Sequence, residues 1–211
     1  MEFLKKLLKP LIEVFKQPIN RMVHRKELPP LFSLLGSLPP FPKVLEVGCG
    51  RGYSLPIIIE HFHPRKIVAF DLDDEELEEA KKLAEKEGLD SVEIRKLDAA
   101  SLPFPGSSFN VVLVSAVLHH IKEWQKAVSE ASRILAPGGY LILKEPLGKS
   151  FKIIPMNPFY RWYDNPASLL EEEDIRDNLK KNALSVKFWE WRGLYGRIFK
   201  CSFRAVCRKD S

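Results

Sequence analysis

Short apolar runs and helically spaced apolar faces alternate along most of this chain. Val44, Leu45 and Val47 form one run, Ile67 to Phe70 a second, and Val92 to Leu97 a third that partly alternates; Asn110 to Ser115 and Tyr140 to Lys144 follow. Runs this short with little polar relief suit strands covered on both faces, as in a parallel sheet. Between them lie Leu55, Ile58, Ile59 and Phe62, ended by Pro64, then Leu77, Ala80, Leu83 and Ala84, ended by Gly88, and finally Ile121, Trp124, Val128, Ala131 and Leu135 over a helix from Lys122 to Leu135. Each set recurs at helical spacing and predicts a helix with one buried face. A turn at Pro137-Gly138-Gly139 leads into the strand from Tyr140, and a helix is expected over Leu170 to Lys181. An antiparallel pair, Ser185 to Trp191 and Phe199 to Arg208, follows through Gly193 and Gly196. Upstream, Phe3, Leu4, Leu7, Leu8, Leu11, Ile12 and Phe15 make an amphipathic basic helix bent at Pro10, and the Pro29-Pro30 and Pro39-Pro40 pairs bound short helices at Asn20 to Lys26 and Leu31 to Leu38. The whole pattern predicts an α/β fold, a mostly parallel sheet with helices on both faces and an antiparallel C-terminal hairpin. A helical cap over residues 1–40 precedes a main domain over 41–211.

The chemistry concentrates where the first run ends. Glu46-Val47-Gly48-Cys49-Gly50-Arg51-Gly52 leads straight into a helix, so the turn is tight and its main chain can approach a ligand closely. The helix start turns unpaired N–H groups and a partial positive charge toward that loop. About twenty residues on, the second run ends in Asp71, placed to accept hydrogen bonds from ribose hydroxyls. An adenosine-containing ligand fits this arrangement. A dinucleotide does not fit as well: counted from Gly48, the sixth position is Tyr53, and the third glycine comes one residue early at Gly52. Glu46 would sit badly against a pyrophosphate and well against an ammonium group. S-adenosylmethionine joins adenosine to an amino acid and meets both conditions.

The stretch from Glu46 to Gly52 resembles the first motif of the class I S-adenosylmethionine-dependent methyltransferases, Glu/Asp-x-Gly-x-Gly-x-Gly, at every fixed position. Further motifs agree in order with the branch containing quinone and sterol methyltransferases: Asp71, Leu97-Asp98-Ala99 with Leu102-Pro103-Phe104, Ser108 to Val112 leading to Leu118-His119-His120, and Leu135 to Gly139. The resemblance covers roughly Val44 to Glu145 and implies a Rossmann-like, seven-stranded sheet. It implies that Gly48 and Gly50 hold the methionine end, with Glu46 near its amino acid portion. Asp71 would bind the ribose, Leu72 would flank the adenine, Asp98 would accept from its amino group, and the Ala99 N–H would meet a ring nitrogen. Cys49 and Ser115 complete the implied cofactor-binding set. His119 and His120 follow the fourth strand and are candidates for a catalytic base, the alternative being contact with cofactor or substrate. Glu145 is expected to face the cleft and touch substrate. The Asn/Asp-Pro-Pro-Tyr/Phe signature of methyltransferases acting on planar nitrogens is replaced by Ser115-Ala116-Val117-Leu118, which disfavours that chemistry; Asn157-Pro158-Phe159-Tyr160 comes too late in the chain. Asn110 stands where the family carries aspartate, and is expected to alter a structural hydrogen bond.

Composition then narrows the partners. The chain has 211 residues, net charge +5, pI near 9.0 and only 3 Cys, which are Cys49, Cys201 and Cys207. That cysteine usage suggests a reducing cytoplasm, and no apolar segment reaches the ~18 residues of a membrane span. Asp73 to Glu76 reads as capping and solvated helix face, and Met22 and His24 as core or surface packing residues, the alternative being that they line the cleft. No metal is implied, since two adjacent histidines are insufficient. Phe151, Met156, Phe159, Tyr160, Trp162 and Tyr163 crowd an insertion at about 146–170 that would line a pocket for an aromatic or lipid-like methyl acceptor. Two other readings stay open. Trp189, Trp191, Tyr195 and Phe199 interleaved with Arg192, Arg197, Lys200 and Arg204 could bind RNA, and the N-terminal basic helix could lie on an anionic membrane, with or without catalysis.

Overall fold

A computed structural model describes residue 18, residues 20–146, 170–194 and 199–210. The basic helix expected at Phe3 to Phe15, the insertion's aromatic residues, Tyr195 and Arg197 lie outside the described residues. Helix α1 covers 20–32. It is followed by β1 (Lys43–Val47), α2 (Leu55–Phe62), β2 (Lys66–Asp71), α3 (Asp74–Glu87), β3 (Val92–Lys96) and β4 (Phe109–Ser115). A 3-10 turn (Leu118–His120), α4 (Trp124–Ile134), β5 (Leu135–Pro146), α5 (Glu172–Lys181), β6 (Leu184–Leu194) and β7 (Phe199–Lys209) complete the chain. One 7-stranded sheet runs in the order β3-β2-β1-β4-β5-β7-β6, parallel from β3 to β5 and antiparallel through β7 and β6.

Alternation along the strands divides the core between the two faces of the sheet. Leu45, Val47, Val112, Val114, Leu141 and Leu143 pack under α4 and α5 through Trp124, Val128, Ile175 and Leu179. Val44, Val111, Leu113, Tyr140 and Ile142 pack under α1, α2 and α3 through Leu28, Leu31, Leu55, Ile58 and Leu77. The sheet grows one way from β1 to β2 and the other way from β1 to β4, so the crevice beyond the carboxyl ends of β1 and β4 is the switch point where such sheets take ligands.

Local chemistry explains several element ends. Asp73 caps α3, accepting from the Glu75 and Glu76 N–H groups, and Gly88 ends the helix in the left-handed conformation. The expected capping role of the acidic run therefore holds, although Glu76 also reaches Arg51 in the glycine loop at 3.3 Å. The Asn110 side-chain oxygen accepts the Lys43 N–H at 2.9 Å and ties β1 to β4, a structural bond as anticipated.

Two boundaries differ from expectation. Helix α1 does not stop before Pro29-Pro30 but runs through them, and no helix spans Leu31 to Leu38. Leu28, Leu31 and Phe32 are all buried on one face of α1, and their burial outweighs the two missing amide donors. Strand β5 starts at Leu135 rather than Tyr140, absorbing Pro137-Gly138-Gly139 as an irregularity opposite Phe109 and Val111.

Candidate functional site

The glycine loop leaves β1 at Val47 and is fastened to β2. The Cys49 N–H donates to the Phe70 carbonyl and the Gly50 N–H to Asp71 Oδ2, each at 2.9 Å. Gly48 has φ +67°, and a Cβ there would fall inside the Val117 side chain, so glycine lets the segment after β4 close onto the loop. At Gly50, also left-handed with φ +50°, a Cβ would have only a Glu76 carboxylate oxygen nearby, at 3.5 Å, among the described residues, so this side of the loop is open to a ligand. Asp71 Oδ1 accepts the Leu72 N–H at 2.7 Å and the Asp73 N–H at 3.2 Å, which fixes the carboxylate at the tip of β2. Beside it Leu72 is 58% exposed, an apolar surface suited to one face of a flat ring. Asp98 accepts the Ala100 N–H at 2.9 Å and shapes the turn that buries Ala99.

Glu46 is the unusual group. It is 2% exposed at the end of β1, and the Ser54 hydroxyl donates to its Oε1. Ser54 occupies the N-cap of α2 yet makes no side-chain cap, because its hydroxyl is turned to Glu46 instead. Glu46 Oε2 is buried with no hydrogen-bond partner among the described residues. Burial pushes the carboxyl up to about 8; the Ser54 hydrogen bond opposes this and the Asp71 charge adds to it. Ionised, Oε2 would be a buried oxygen without a donor, a cost that keeps the carboxyl protonated; an ammonium group placed beside the loop would supply that donor and let it ionise. The residues present therefore fit S-adenosylmethionine: Glu46 for the ammonium, the open side of Gly50 for the methionine portion, Asp71 and Leu72 toward the nucleoside. Cys49 is buried, and burial together with the nearby Glu46 and Asp71 charges raises its thiol well above the ordinary range, so it serves as packing and not as a nucleophile.

A second constellation forms where β4 and β5 end side by side. Ser115 pairs with Lys144 across the sheet, and its hydroxyl is buried without a partner among the described residues. Ala116 takes a left-handed conformation, φ 56°, with its N–H on the Lys144 carbonyl at 2.7 Å, and so redirects the chain into the 3-10 turn. Glu145, fully buried, holds that turn. Its Oε1 accepts the Val117 N–H at 2.8 Å and the Leu118 N–H at 3.0 Å, and its Oε2 lies 2.8 Å from His119 Nδ1. The His120 ring sits 4.0 Å from the His119 ring. Glu145 thus does not line the cleft, as its place after β5 suggested; both its oxygens are engaged inside the protein. The sequence reading missed the roles of Ser54 and Glu145. Pairing Ser115 with Lys144 would have put Glu145 next to the His pair, whereas Ser54 reads as an ordinary cap.

Under α1 the same sheet edge carries charge. Lys144 pairs with Glu27 at 2.8 Å, and Arg204, 4% exposed, pairs with Glu190 and reaches the Glu27 carbonyl at 3.4 Å. His24 is packed against this network; burial, then the Lys144 charge, lowers it to about 4, with Glu27 opposing. Met22, in contrast, is exposed. Trp189 stacks on Phe203 at 4.5 Å and lies under Arg176 of α5 at 4.0 Å, while Arg192 and Arg204 of the hairpin both pair with Glu190. Among the described residues no group of three or more His, Cys, Asp and Glu could hold a metal ion, and no helix is long and apolar enough to cross a membrane.

Residues 45–143, from β1 through β5, match the family model described as a methyltransferase domain. A Mycolicibacterium smegmatis protein named "Probable S-adenosylmethionine-dependent methyltransferase" is 34% identical over 131 residues, which are 61% of this chain and 48% of that protein. Phosphatidylethanolamine N-methyltransferase of Cereibacter sphaeroides is 34% identical over 102 residues, 48% of this chain and 49% of its own length. The chain spans about half the length of these curated relatives. In fold, it is similar to geranyl diphosphate methyltransferase solved in complex with SAM, with a TM-score of 0.70 at 16% identity over 85% of this chain and 82% of the other. The glycine loop, the sheet order and the match over residues 45–143 agree, and this part of the chain is similar to S-adenosylmethionine-dependent methyltransferases.

Proposed function

We propose that the protein transfers the methyl group of S-adenosylmethionine to a small acceptor of aromatic or lipid-like character, leaving S-adenosylhomocysteine. The observations that carry this reading are Glu46 Oε2, buried without a partner among the described residues, and the open side of the glycine loop that follows it. When bound, the donor supplies an electrophilic methyl on a sulfonium. The chain's own residues then have separate duties. Glu46 binds the ammonium, with Gly48, Cys49 and Gly50 forming the wall of the methionine portion; Asp71 takes the ribose, Leu72 flanks the adenine, the Ala99 N–H meets a ring nitrogen, and Asp98 accepts from the adenine amino group. Ser115, at the tip of β4, contacts the donor near the methyl. Alignment of the acceptor supplies much of the rate, and His119 or His120 stands where a proton would leave.

Support for a small or lipid-like acceptor comes from the names of a relative, phosphatidylethanolamine N-methyltransferase, and of a protein of similar fold, geranyl diphosphate methyltransferase, and from the aromatic segment between Phe151 and Tyr163. The burial of Arg204 and the Trp189–Phe203 stack weigh against the RNA reading. A cytoplasmic location and the division into a cap over 1–40 and a domain over 41–211 belong to the same proposal, contact of the N-terminal helix with a membrane surface being the alternative to the cap. The test supplies methyl-labelled donor to the protein with a total extract of cell metabolites, lipids and RNA. Label in an organic or small-molecule fraction supports the reading; label confined to nuclease-sensitive material replaces it with the RNA reading.

A further inference from the structure

Near the carboxyl ends of β4 and β5 the sheet pairs Ser115 with Lys144, Lys144 with Arg204 of β7, and Arg204 with Glu190 of β6. Residues paired in register point to one face. This face is the one under α1: Leu113 and Ile142, two positions earlier on β4 and β5, pack there, and Lys144 reaches Glu27 of α1 at 2.8 Å. The pairs set three cations, Lys144, Arg204 and Arg192, against two carboxylates, Glu27 and Glu190. Arg204 spends its terminal nitrogens on Glu190 and the Glu27 carbonyl, while its Nε–H is buried with no partner among the described residues; His24 Nδ1, on α1, is buried in the same condition. A buried donor left without a partner is costly, so the layer is complete only when a guest accepts from it. Burial lowers His24, and of the two charges beside it the Lys144 ammonium acts more strongly than the Glu27 carboxylate, so the surroundings favour a negative guest.

We propose that Lys144 and Arg204, with His24 closing from α1, bind a carboxylate or phosphate group carried by the methyl acceptor. This inference rests on the methyl-transfer reading and gives its acceptor a charge and a length. Ser115 lies in the strand next to β1, at the donor end of the row, and Lys144 and Arg204 lie one and two strands farther, roughly 5 and 10 Å away at ordinary strand spacing. The acceptor's anionic group therefore sits roughly 5–10 Å from the atom that is methylated. The donor's own amino acid portion, held at the β1 loop, is on the far side of Ser115 from Arg204. Glu27 is then an internal substitute, a carboxylate that occupies Lys144 until the acceptor displaces it. The Lys144 and Glu27 side chains are 14% and 28% exposed and form the entrance, with Arg204, 4% exposed, as the floor. An uncharged acceptor would have no use for this row.

The test uses the whole chain saturated with S-adenosylhomocysteine, so that the donor's own carboxylate is already in place. Benzoate, phenyl phosphate and uncharged benzamide are then titrated while the Arg204 Nε–H is followed by nitrogen-15 NMR. At least one of the two anions should shift that signal, slow its exchange with water and bind about 10- to 100-fold more tightly than benzamide. The tighter of the two tells a carboxylate-bearing acceptor from a phosphate-bearing one. Glu27→Gln removes the internal competitor and should tighten anion binding about fivefold. Lys144→Met should abolish the preference for anions; where that variant fails to fold, the Glu27→Gln comparison decides. Equal affinity for benzamide, an Arg204 signal unmoved by either anion, or anion binding unchanged or weakened in Glu27→Gln would overturn the proposal and leave the layer to ordered water. A shift completed by S-adenosylhomocysteine alone, with nothing added by the anions, would also overturn it, by giving the row to the donor's carboxylate. If no S-adenosylhomocysteine binds and benzoate still moves Arg204, the methyl-transfer reading falls and the anion site stands.

Discussion

The two halves of the site are built in opposite ways. On the β1–β2 side, Glu46, Gly48, Gly50, Ser54 and Asp71 come from one continuous stretch, and their contacts are a main-chain loop fastened to the next strand. On the β4–β5 side, His119 meets Glu145, 26 residues further along the chain, and Lys144 meets Glu27 from α1. The first half places one unsatisfied acceptor beside open main chain; the second uses its buried charges to orient each other. The difference suggests a division of labour, in which the local half recognises a ligand common to the family and the assembled half sets what is done with it.

The largest expected effect breaks the first half. Glu46→Gln keeps a partner for Ser54 and loses the charge that would meet an ammonium, so S-adenosylmethionine affinity should fall about 10- to 100-fold by calorimetry. An unchanged affinity would remove Glu46 from the site. Next comes the seam between the halves. Gly48→Ala drives a methyl into Val117 in a left-handed backbone, and should lower stability by about 2–3 kcal/mol in denaturant titration. Adding Val117→Ala should recover part of that loss; no recovery would mean that backbone strain alone is responsible.

A third prediction separates the halves by pH. His24 has a folded-state value of about 4 against 6.5 unfolded, so its neutral form contributes stability that is present above 6.5 and lost as the pH falls toward 4, by up to about 3 kcal/mol. Glu46, raised to about 8 from 4.5, has the opposite sign: its contribution is complete below 4.5 and lost as the pH rises through 8. Between 6.5 and 8 the ligand-free protein should therefore weaken with rising pH, and Glu46→Gln should flatten that slope. His24→Gln should steepen the loss between 4.5 and 6.5, where the two wild-type effects oppose each other. Equal melting profiles for all three proteins would contradict both assignments. The smallest effect is expected from Asn110→Asp, which keeps an acceptor for the Lys43 N–H and should change stability by no more than about 0.5 kcal/mol, with donor affinity untouched.

The same contrast explains what could be read from the amino-acid order. The glycine loop, Asp71 and the Asp73 cap depend on residues within a few positions or at one fixed spacing, so their identities carry the geometry. The two-faced core follows from alternation along β1, β4 and β5. Glu145 was legible only as an acid at a strand end, because its partner is set by β4–β5 pairing. Ser54 was hidden by a stronger local expectation: a serine before a helix reads as a cap, and nothing nearby in sequence says that a buried carboxylate competes for it. Pro29-Pro30 misled for the reverse reason, since local rules favour a break and the burial of Leu28, Leu31 and Phe32 against the sheet overrides them.

The central claim is that a buried carboxyl at the end of β1 waits for a cation carried by the methyl donor. Titrating the protein with S-adenosylmethionine at pH 7, in two buffers of different ionisation enthalpy, tests it most directly. With Glu46 at about 8 and so protonated beforehand, the account predicts one binding event accompanied by release of close to one proton, lost in Glu46→Gln. Binding with no proton released, or no binding heat in either buffer, would contradict it.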